Sequence, residues 1–276
     1  MRKPIQLMTV MSLLMMSSVS MNAQKVIDTS VMEVKYQAEM RTVVGYTKVD
    51  GKQILQLGNN ISRYYNEAAE YNRLLTDSVM RSDGSLDGMY STYGKRKRQT
   101  EGYNVYKGYP DKGMLSFSRP LGDWFEYSEP MNLMEWKETE GDTIVIGHPC
   151  KKAITHWRGR TWTAWYAMDI PVSDGPWKLH GLPGLILAAK DLSGDFSFTA
   201  FAIEKKSNPI IRIDKPHQEV SIKKLNELEK DIKKDYWGTI NKIKGREGEI
   251  EILGKDGKPA GKQNLIANLM EPDVDE

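Results

Sequence analysis

Few residues in this chain carry side chains suited to nucleophilic or soft-metal chemistry. Its 276 residues include four histidines and a single cysteine. His148-Pro149-Cys150 sets an imidazole and a thiol two positions apart, a soft pair that suits copper or zinc, and His156 could join them. A closed site needs more ligands at recognisable spacing. A Gly-His-Pro turn leading into a strand with a buried thiol accounts for the same residues, so no metal is expected. A Cys150–His156 nucleophilic pair would need the imidazole to activate the thiol. Six residues apart on one strand, their Cα atoms lie roughly 20 Å from each other. The Gly-x-Ser-x-Gly elbow, the His-Glu-x-x-His zinc motif and the phosphate-binding glycine loop are missing from the sequence. Asp169 and Asp174 bracket an irregular loop that leads to His180, and a hydrolase would draw its acid and base from these 169–184 loops. Aspartates beside Pro-Gly turns usually cap backbone N–H groups instead. No residue is therefore assigned a catalytic role, and no cofactor is expected.

The elements around these residues are more informative. Residues 161–191 hold three of the seven tryptophans, two strand-like runs and two irregular loops. Thr161 to Ala167 is aromatic and β-branched, and Gly184 to Ala189 is an apolar run too short for an ordinary helix. Between them, Pro171, Pro176 and Pro183 lack an N–H, while glycines permit backbone angles closed to other residues. Strand alternation puts Trp162, Ala164 and Tyr166 on one face and Trp165 on the other. Trp162, Trp165, Tyr166, Trp177, His180 and Leu182 are thus candidates to line a groove for a lipid, peptide or glycan, with core packing as the competing account.

IPVSDGPWKLHGLPGLILAAKD, residues 170–191, resembles the signature of the GLPGLI family through Gly181, Leu182, Pro183, Gly184, Leu185 and Ile186. QILQLGNNISRYYN (53–66), EWKETEGDTIVIGHPCKKA (135–153) and RGRTWTAWYAMDIPVS (158–173) extend the resemblance in order, over roughly residues 30 to 205. The resemblance implies an envelope protein of Bacteroidetes type, without a generally established activity.

Arg2 and Lys3 precede an apolar, methionine-rich stretch, and Met21-Asn22-Ala23 offers a cleavage point, so residues 1–23 read as a secretory signal. Cleavage near Ala23 would yield a periplasmic or secreted protein without a transmembrane span. Removing Arg2 and Lys3 leaves equal numbers of basic and acidic residues, which argues against a nucleic-acid partner. One cysteine permits no intramolecular disulfide, so packing must supply the stability.

Residues 24–209 read as a β domain. Met32 to Arg41 alternates with period two, and Ile54–Leu57 and Ile61–Tyr65 flank a Gly58-Asn59-Asn60 turn. Glu67 to Leu75 suits a short helix with Ala68, Tyr71, Leu74 and Leu75 inward. Order weakens from Thr76 to Gly113, where Lys95-Arg96-Lys97-Arg98 reads as a solvated loop rather than an anionic-surface contact. Short strands follow at Met114–Phe117, Trp124–Tyr127, Asn132–Lys137, Asp142–Ile146, Cys150–Trp157, Thr161–Ala167, Leu185–Ala189 and Phe196–Ile203. Their short connections favour antiparallel neighbours. Residues 210–276 form an extension: a helix capped by Ser221 with an apolar stripe to Ile243, a strand at Glu249–Leu253, and a disordered acidic end from Glu271.

The expected fold is mainly β, a β-rich α+β arrangement. It has a large curved, mostly antiparallel sheet or half-barrel covered by the C-terminal helix, similar in architecture to LolA-type carriers. The leading functional expectation is a non-enzymatic binding or carrier protein for an apolar ligand or an outer-membrane partner, protein or lipid. An envelope hydrolase and a His148/Cys150 metal protein are the alternatives.

Overall fold

The computed structural model describes residues 24–82, 84–98, 101–131, 134–245 and 264–274. Among these, thirteen strands form one large, curved, open sheet. In chain order they are β1 (Lys25–Met40), β2 (Val49–Gly58), β3 (Ser62–Asn66), β4 (Asn104–Lys107), β5 (Met114–Leu121), β6 (Asp123–Pro130) and β7 (Lys137–Val145). They continue as β8 (His148–Trp157), β9 (Arg160–Ala167), β10 (Leu185–Asp191), β11 (Phe196–Glu204), β12 (Pro209–Arg212) and β13 (His217–Glu219). Across the sheet the order is β13, β6, β5, β4, β3, β2, β1, β11, β10, β9, β8, β7, and β12 pairs with the first residues of β1. The pairings are antiparallel except β13 against β6. Four α-helices complete the described fold: α1 (Glu67–Ser82), α2 (Leu86–Ser91), α3 (Ile222–Lys234) and α4 (Tyr236–Ile243).

Alternation sorts the side chains onto two faces. In β1, Val34, Tyr36, Ala38 and Met40 are fully buried on one of them. That face continues as a row of rings, Tyr36, Tyr64, Tyr103, Phe117 and Tyr127, with successive centroids 5.3–6.3 Å apart. Phe198 joins Tyr64 to Trp162, and Trp162 meets Trp177. Such ring pairs contribute about 0.5–1.5 kcal/mol each beyond the area they bury. The opposite face is more polar, with buried Arg63 bonded to Asn104 of β4 and Glu70 of α1.

The aromatic face is closed by α3. Ser221 caps this helix by accepting a bond from Lys224 N, and Leu225 and Ile232 are buried beneath it. Arg119 of β5 donates to Glu229 of the helix and to Glu101, tying helix to sheet. The helix does not run through to Ile243. It breaks at Asp235, whose carboxylate caps α4 by accepting from Gly238 N.

Several local expectations need correction. The strand expected at 142–146 begins earlier, as β7 from Lys137, with a register shift between Thr139 and Thr143 around Gly141, whose φ is +117°. Of the strand expected at 132–137, residues 134–136 are irregular and 132–133 lie outside the described residues. β4 lies in a stretch expected to lack order; its Asn104 and Lys107 are buried polar residues that hide the strand pattern. α1 is longer than expected and none of its residues is buried. Tyr71 and Leu74, assigned to an inner face, are exposed; the face that α1 turns to the sheet carries Glu70, which pairs with Arg63 of β3. At 209, where the extension was expected to begin, β12 starts and pairs with β1. The strand expected at 249–253 lies outside the described residues. The acidic end is ordered where it begins: residues 264–274 form a strap along the sheet, and Glu271 is buried.

Candidate functional site

The signature loop, residues 168–184, joins β9 to β10 and folds back on both. Leu185 N donates to Ile170 O and Ile186 N to Asp174 O, so the loop's first half is laced to the start of the next strand. Gly184 allows this because a side chain there would sit 2.2 Å from the Ala167 carbonyl oxygen. Gly181 has φ +95°, a left-handed angle that favours glycine. Leu182, Leu185 and Ile186 are buried. The Gly-Leu-Pro-Gly-Leu-Ile run is therefore a fold-forming turn and strand start.

Two buried lysines fasten this loop. Lys107 of β4 donates to Asp174 Oδ1 at 2.5 Å, Gly175 O at 2.7 Å and Leu179 O at 3.2 Å, while Ser62 donates to the other Asp174 oxygen at 2.5 Å. Burial pulls the Lys107 ammonium below its ordinary range and the Asp174 carboxylate opposes that pull. Lys178, from the loop itself, is fully buried. Its Nζ donates to Tyr127 Oη at 2.5 Å, Glu129 Oε1 at 2.9 Å and Glu271 Oε2 at 2.7 Å. Phe117, Tyr127, Trp157 and Trp177 wall it in, with ring centres 4.8–5.9 Å from Nζ. Arg158, in the β8–β9 turn, donates to both Glu129 and Glu271. Burial pushes the Glu129 carboxyl up, but Lys178 and Arg158 outweigh it and hold the group below its usual range. The Tyr127 hydroxyl is pushed well up by burial and by Glu271 and Glu129, so it stays protonated.

Against this frame the candidate residues separate. Trp162, Tyr166, Trp177, His180 and Leu182 are buried, and Trp165 lies on the other face with its indole N–H on Gly141 O at 3.2 Å. Trp162 and Trp177 pack on each other in the core cluster. The aromatic set is thus packed in or against the core cluster rather than lining an open groove. Asp169, Asp174 and His180 do not converge. Asp169 accepts from His148 Nδ1 at 2.7 Å near the surface, Asp174 is held by Lys107, and His180 Nδ1 bonds to Lys178 O at 2.7 Å. His148 and His156 lie at opposite ends of β8, and His156 meets Thr161. The Cys150 thiol is buried, donates to the His148 carbonyl at 3.4 Å, and is pushed up by burial. Among the described residues, no three His, Cys, Asp or Glu groups are arranged to hold a metal ion.

Sequence reasoning missed Lys178, Arg158, Glu129 and Glu271. One signal was present: Lys178 stands directly between the apolar Trp177 and Leu179.

A second feature projects from the opposite face. Between β3 and β4 the chain makes a helical arm, residues 67–98. Tyr90 and Tyr93 stack on each other at 6.1 Å while remaining 69% and 68% exposed. Lys95 to Arg98 follow, all exposed. The run is ordered: Asn72 Nδ2 donates to Lys97 O at 2.8 Å and Lys97 N donates to Asn72 Oδ1 at 2.9 Å. Lys97 lies over Tyr71 and Arg96 over Tyr93. Under α1 a cleft of about 270 Å³ is lined by Tyr65, Trp124, Arg73, Asp77 and Lys215. Its charged groups pair with one another, Arg73 with Glu70 and Asp77, and Lys215 with Asp77.

No helix among the described residues is long and apolar enough to cross a membrane. Comparison with curated proteins finds no match. Two structures of PNGF-II, in the C2 and P21 space groups, share 18% and 16% sequence identity with TM-scores of 0.48 and 0.47. They cover 73% and 72% of this chain, which spans only 32% of theirs. Residues 125–188, from β6 through the signature loop into β10, match the profile of a family described as "Protein of unknown function (Porph_ging)".

Proposed function

We propose that this is an exported, non-enzymatic binding protein of the GLPGLI type, cleaved near Ala23 and working in the periplasm or outside the cell. In this reading it docks on an anionic lipid surface of the envelope through the helical arm. The observation that carries the reading is the pair of stacked, exposed tyrosines, Tyr90 and Tyr93, beside the ordered basic run Lys95–Arg98. Exposed aromatic rings next to fixed cations suit a headgroup boundary, where the ring enters the apolar margin and the cation meets phosphate. Four basic residues near an anionic surface contribute roughly 4 kcal/mol, a weak attachment that the tyrosines reinforce. The buried aromatic face supports this choice indirectly, because its rings are already engaged in the core.

The test is sedimentation of the mature chain with phosphatidylcholine vesicles, with and without phosphatidylglycerol. Binding is expected only to the anionic vesicles and is expected to weaken with salt. Lys95→Glu/Lys97→Glu and Tyr90→Ser/Tyr93→Ser should each reduce it. Equal recovery with both vesicle types, or no binding at low salt, overturns the reading. Export is tested separately by the mass of the protein recovered from its host, which should begin at Gln24.

A further inference from the structure

The Lys178 cluster is assembled from two separable parts. Lys178 is set by the signature loop, Arg158 by the β8–β9 turn, and Glu129 of β6 bonds to both. With the Tyr127 hydroxyl, these groups belong to the sheet and to the loop laced onto it. Glu271 belongs to the strap, which reaches the sheet after the 246–263 segment. The strap joins through an isolated bridge between Val43 and Ala267, with Val44 N donating to Ile266 O and Asn268 N to Thr42 O.

Charge defines what the sheet half lacks. Glu129 balances one of the two cations, so sheet and loop present one uncompensated positive charge, and Glu271 supplies the missing anion. Groups outside the strap also hold the donors: rings surround Lys178 Nζ, and the Arg158 guanidinium lies 4.6 Å from the Trp157 ring centre. A small void of about 10 Å³ borders Arg158, Lys178, Pro130 and Met131. The backbone beside the site is strained. Trp177 at φ 52° occupies a left-handed angle that is uncommon outside glycine and costly for a bulky residue, whereas Arg158 at φ 47° takes its angle from the two-residue β8–β9 turn that it forms with Gly159. Such strain persists where surroundings enforce it, and it concentrates at binding sites.

We propose that Arg158 and Lys178 form a recognition site for the carboxylate of an extended acidic peptide, filled here by Glu271 acting as an intramolecular ligand. A glutamate-bearing segment of a partner protein competes with the strap for this site. The strap shows the ligand's form. Its backbone runs extended beside residues 42–44, Leu269 is buried two positions before the glutamate, and Arg160 donates to the Leu269 carbonyl. The class is therefore an extended segment with an apolar residue two positions before a glutamate. This inference is independent of the helical arm.

The experiment uses the full chain with a protease recognition sequence inserted within 246–263. After cleavage, a fluorescent peptide of sequence NLIANLMEPDVDE, residues 264–276, is offered to the nicked protein. It should exchange into the site saturably, and the Glu271→Gln and Leu269→Ala peptides should bind weaker by about tenfold or more. No exchange, or equal binding of the wild-type and Glu271→Gln peptides, overturns the proposal. Should the nicked chain unfold as the strap leaves, full-length Glu271→Gly decides the matter. Sodium propionate should raise its melting temperature above that in sodium chloride at equal ionic strength, with no such rise for the wild type. Failure of that rescue overturns the site.

Discussion

Replacing Lys178 with methionine keeps most of the apolar stem and removes the charge. Glu129 and Glu271 would then share Arg158 alone, two buried carboxylates on one cation. Breaking a buried ion pair from one side costs about 3–5 kcal/mol, because the remaining charge is left without compensation. The ring contacts cannot account for so much, since a single ammonium gains about 0.5–2 kcal/mol from an aromatic face and methionine recovers part of that packing. Glu271→Gln errs in the other direction and leaves Arg158 and Lys178 facing Glu129 only. Each single variant should therefore lose about 3 kcal/mol, whereas Lys178→Met/Glu271→Gln keeps Arg158 paired with Glu129 and restores the balance of charge. The double variant should lose little more than either single, giving a coupling of about 2 kcal/mol or more. Urea unfolding of the mature chain measures this, provided the denaturant slope is unchanged across the four proteins. Trp157 and Trp177 report through their emission, being next to the ammonium. Singles that lose less than about 1 kcal/mol, or a coupling below about 0.5 kcal/mol, would refute the account of a desolvated, mutually dependent pair.

Acid should act on Glu70. Burial pulls its carboxyl up, but Arg73 and Arg63 outweigh this and hold it at about 2, against an ordinary 4.5. The folded value lies below the unfolded one, so its stabilisation is present above pH 4.5 and is lost as pH falls from there towards 2. The full effect is about 3 kcal/mol. Glu70→Gln should thus shrink the stability difference between pH 6 and pH 3, and an unchanged difference would contradict the pairing. Gly184→Ala must move the Ala167 carbonyl, since the new carbon would lie 2.2 Å from that oxygen. A loss of about 2 kcal/mol or more in chemical unfolding is expected, and a neutral result would show that the loop tolerates a different path. Trp177→Ala should lower stability by about 3–5 kcal/mol, as a buried tryptophan does, with a matching drop in melting temperature. The Cys150 thiol is buried and pushed up, so a thiol reagent should label it only after denaturation; rapid labelling of the native protein would place it at the surface.

The sheet was legible because its signals are local and repeated. Residues 32–41 alternate strictly, and the short turns around 58–60 and 194 leave antiparallel pairing as the economical arrangement. Legibility failed where a strand carries polar residues on a buried face. Lys107 and Arg119 point inward with the apolar residues of β4 and β5, and each is compatible with burial only through carboxylates far away in sequence, Asp174 for one and Glu101 and Glu229 for the other. No periodicity reports such a partner. The same reason hid Glu271, which reads as part of an acidic end until Arg158 and Lys178 are placed beside it. α1 failed in the opposite way: its spacing satisfied a helix with an apolar inner face, but spacing cannot say that the face meeting the sheet carries Glu70, paired with Arg63.

This difference bears on where binding can reside. The densest stretch of the sequence is the natural place to look for a ligand, yet each of its unusual features has a structural cause in view. Gly184 admits a backbone carbonyl, Asp174 receives Lys107 and Ser62, and Trp177 fills the space between Trp157 and Trp162. A residue already engaged on every side can recognise something else only if a neighbour leaves. Around Lys178 the neighbour able to leave without dismantling the sheet is the strap, because its anion is the group there that does not come from the sheet or from the loop fastened to it. The arm needs no such departure, since Tyr90, Tyr93 and the basic run already face solvent. An encounter through the arm therefore requires no rearrangement, whereas recognition at Lys178 must be slower and must scale with release of the strap. If both sites operate, binding to anionic vesicles should survive Glu271→Gln while exchange of the acidic peptide does not.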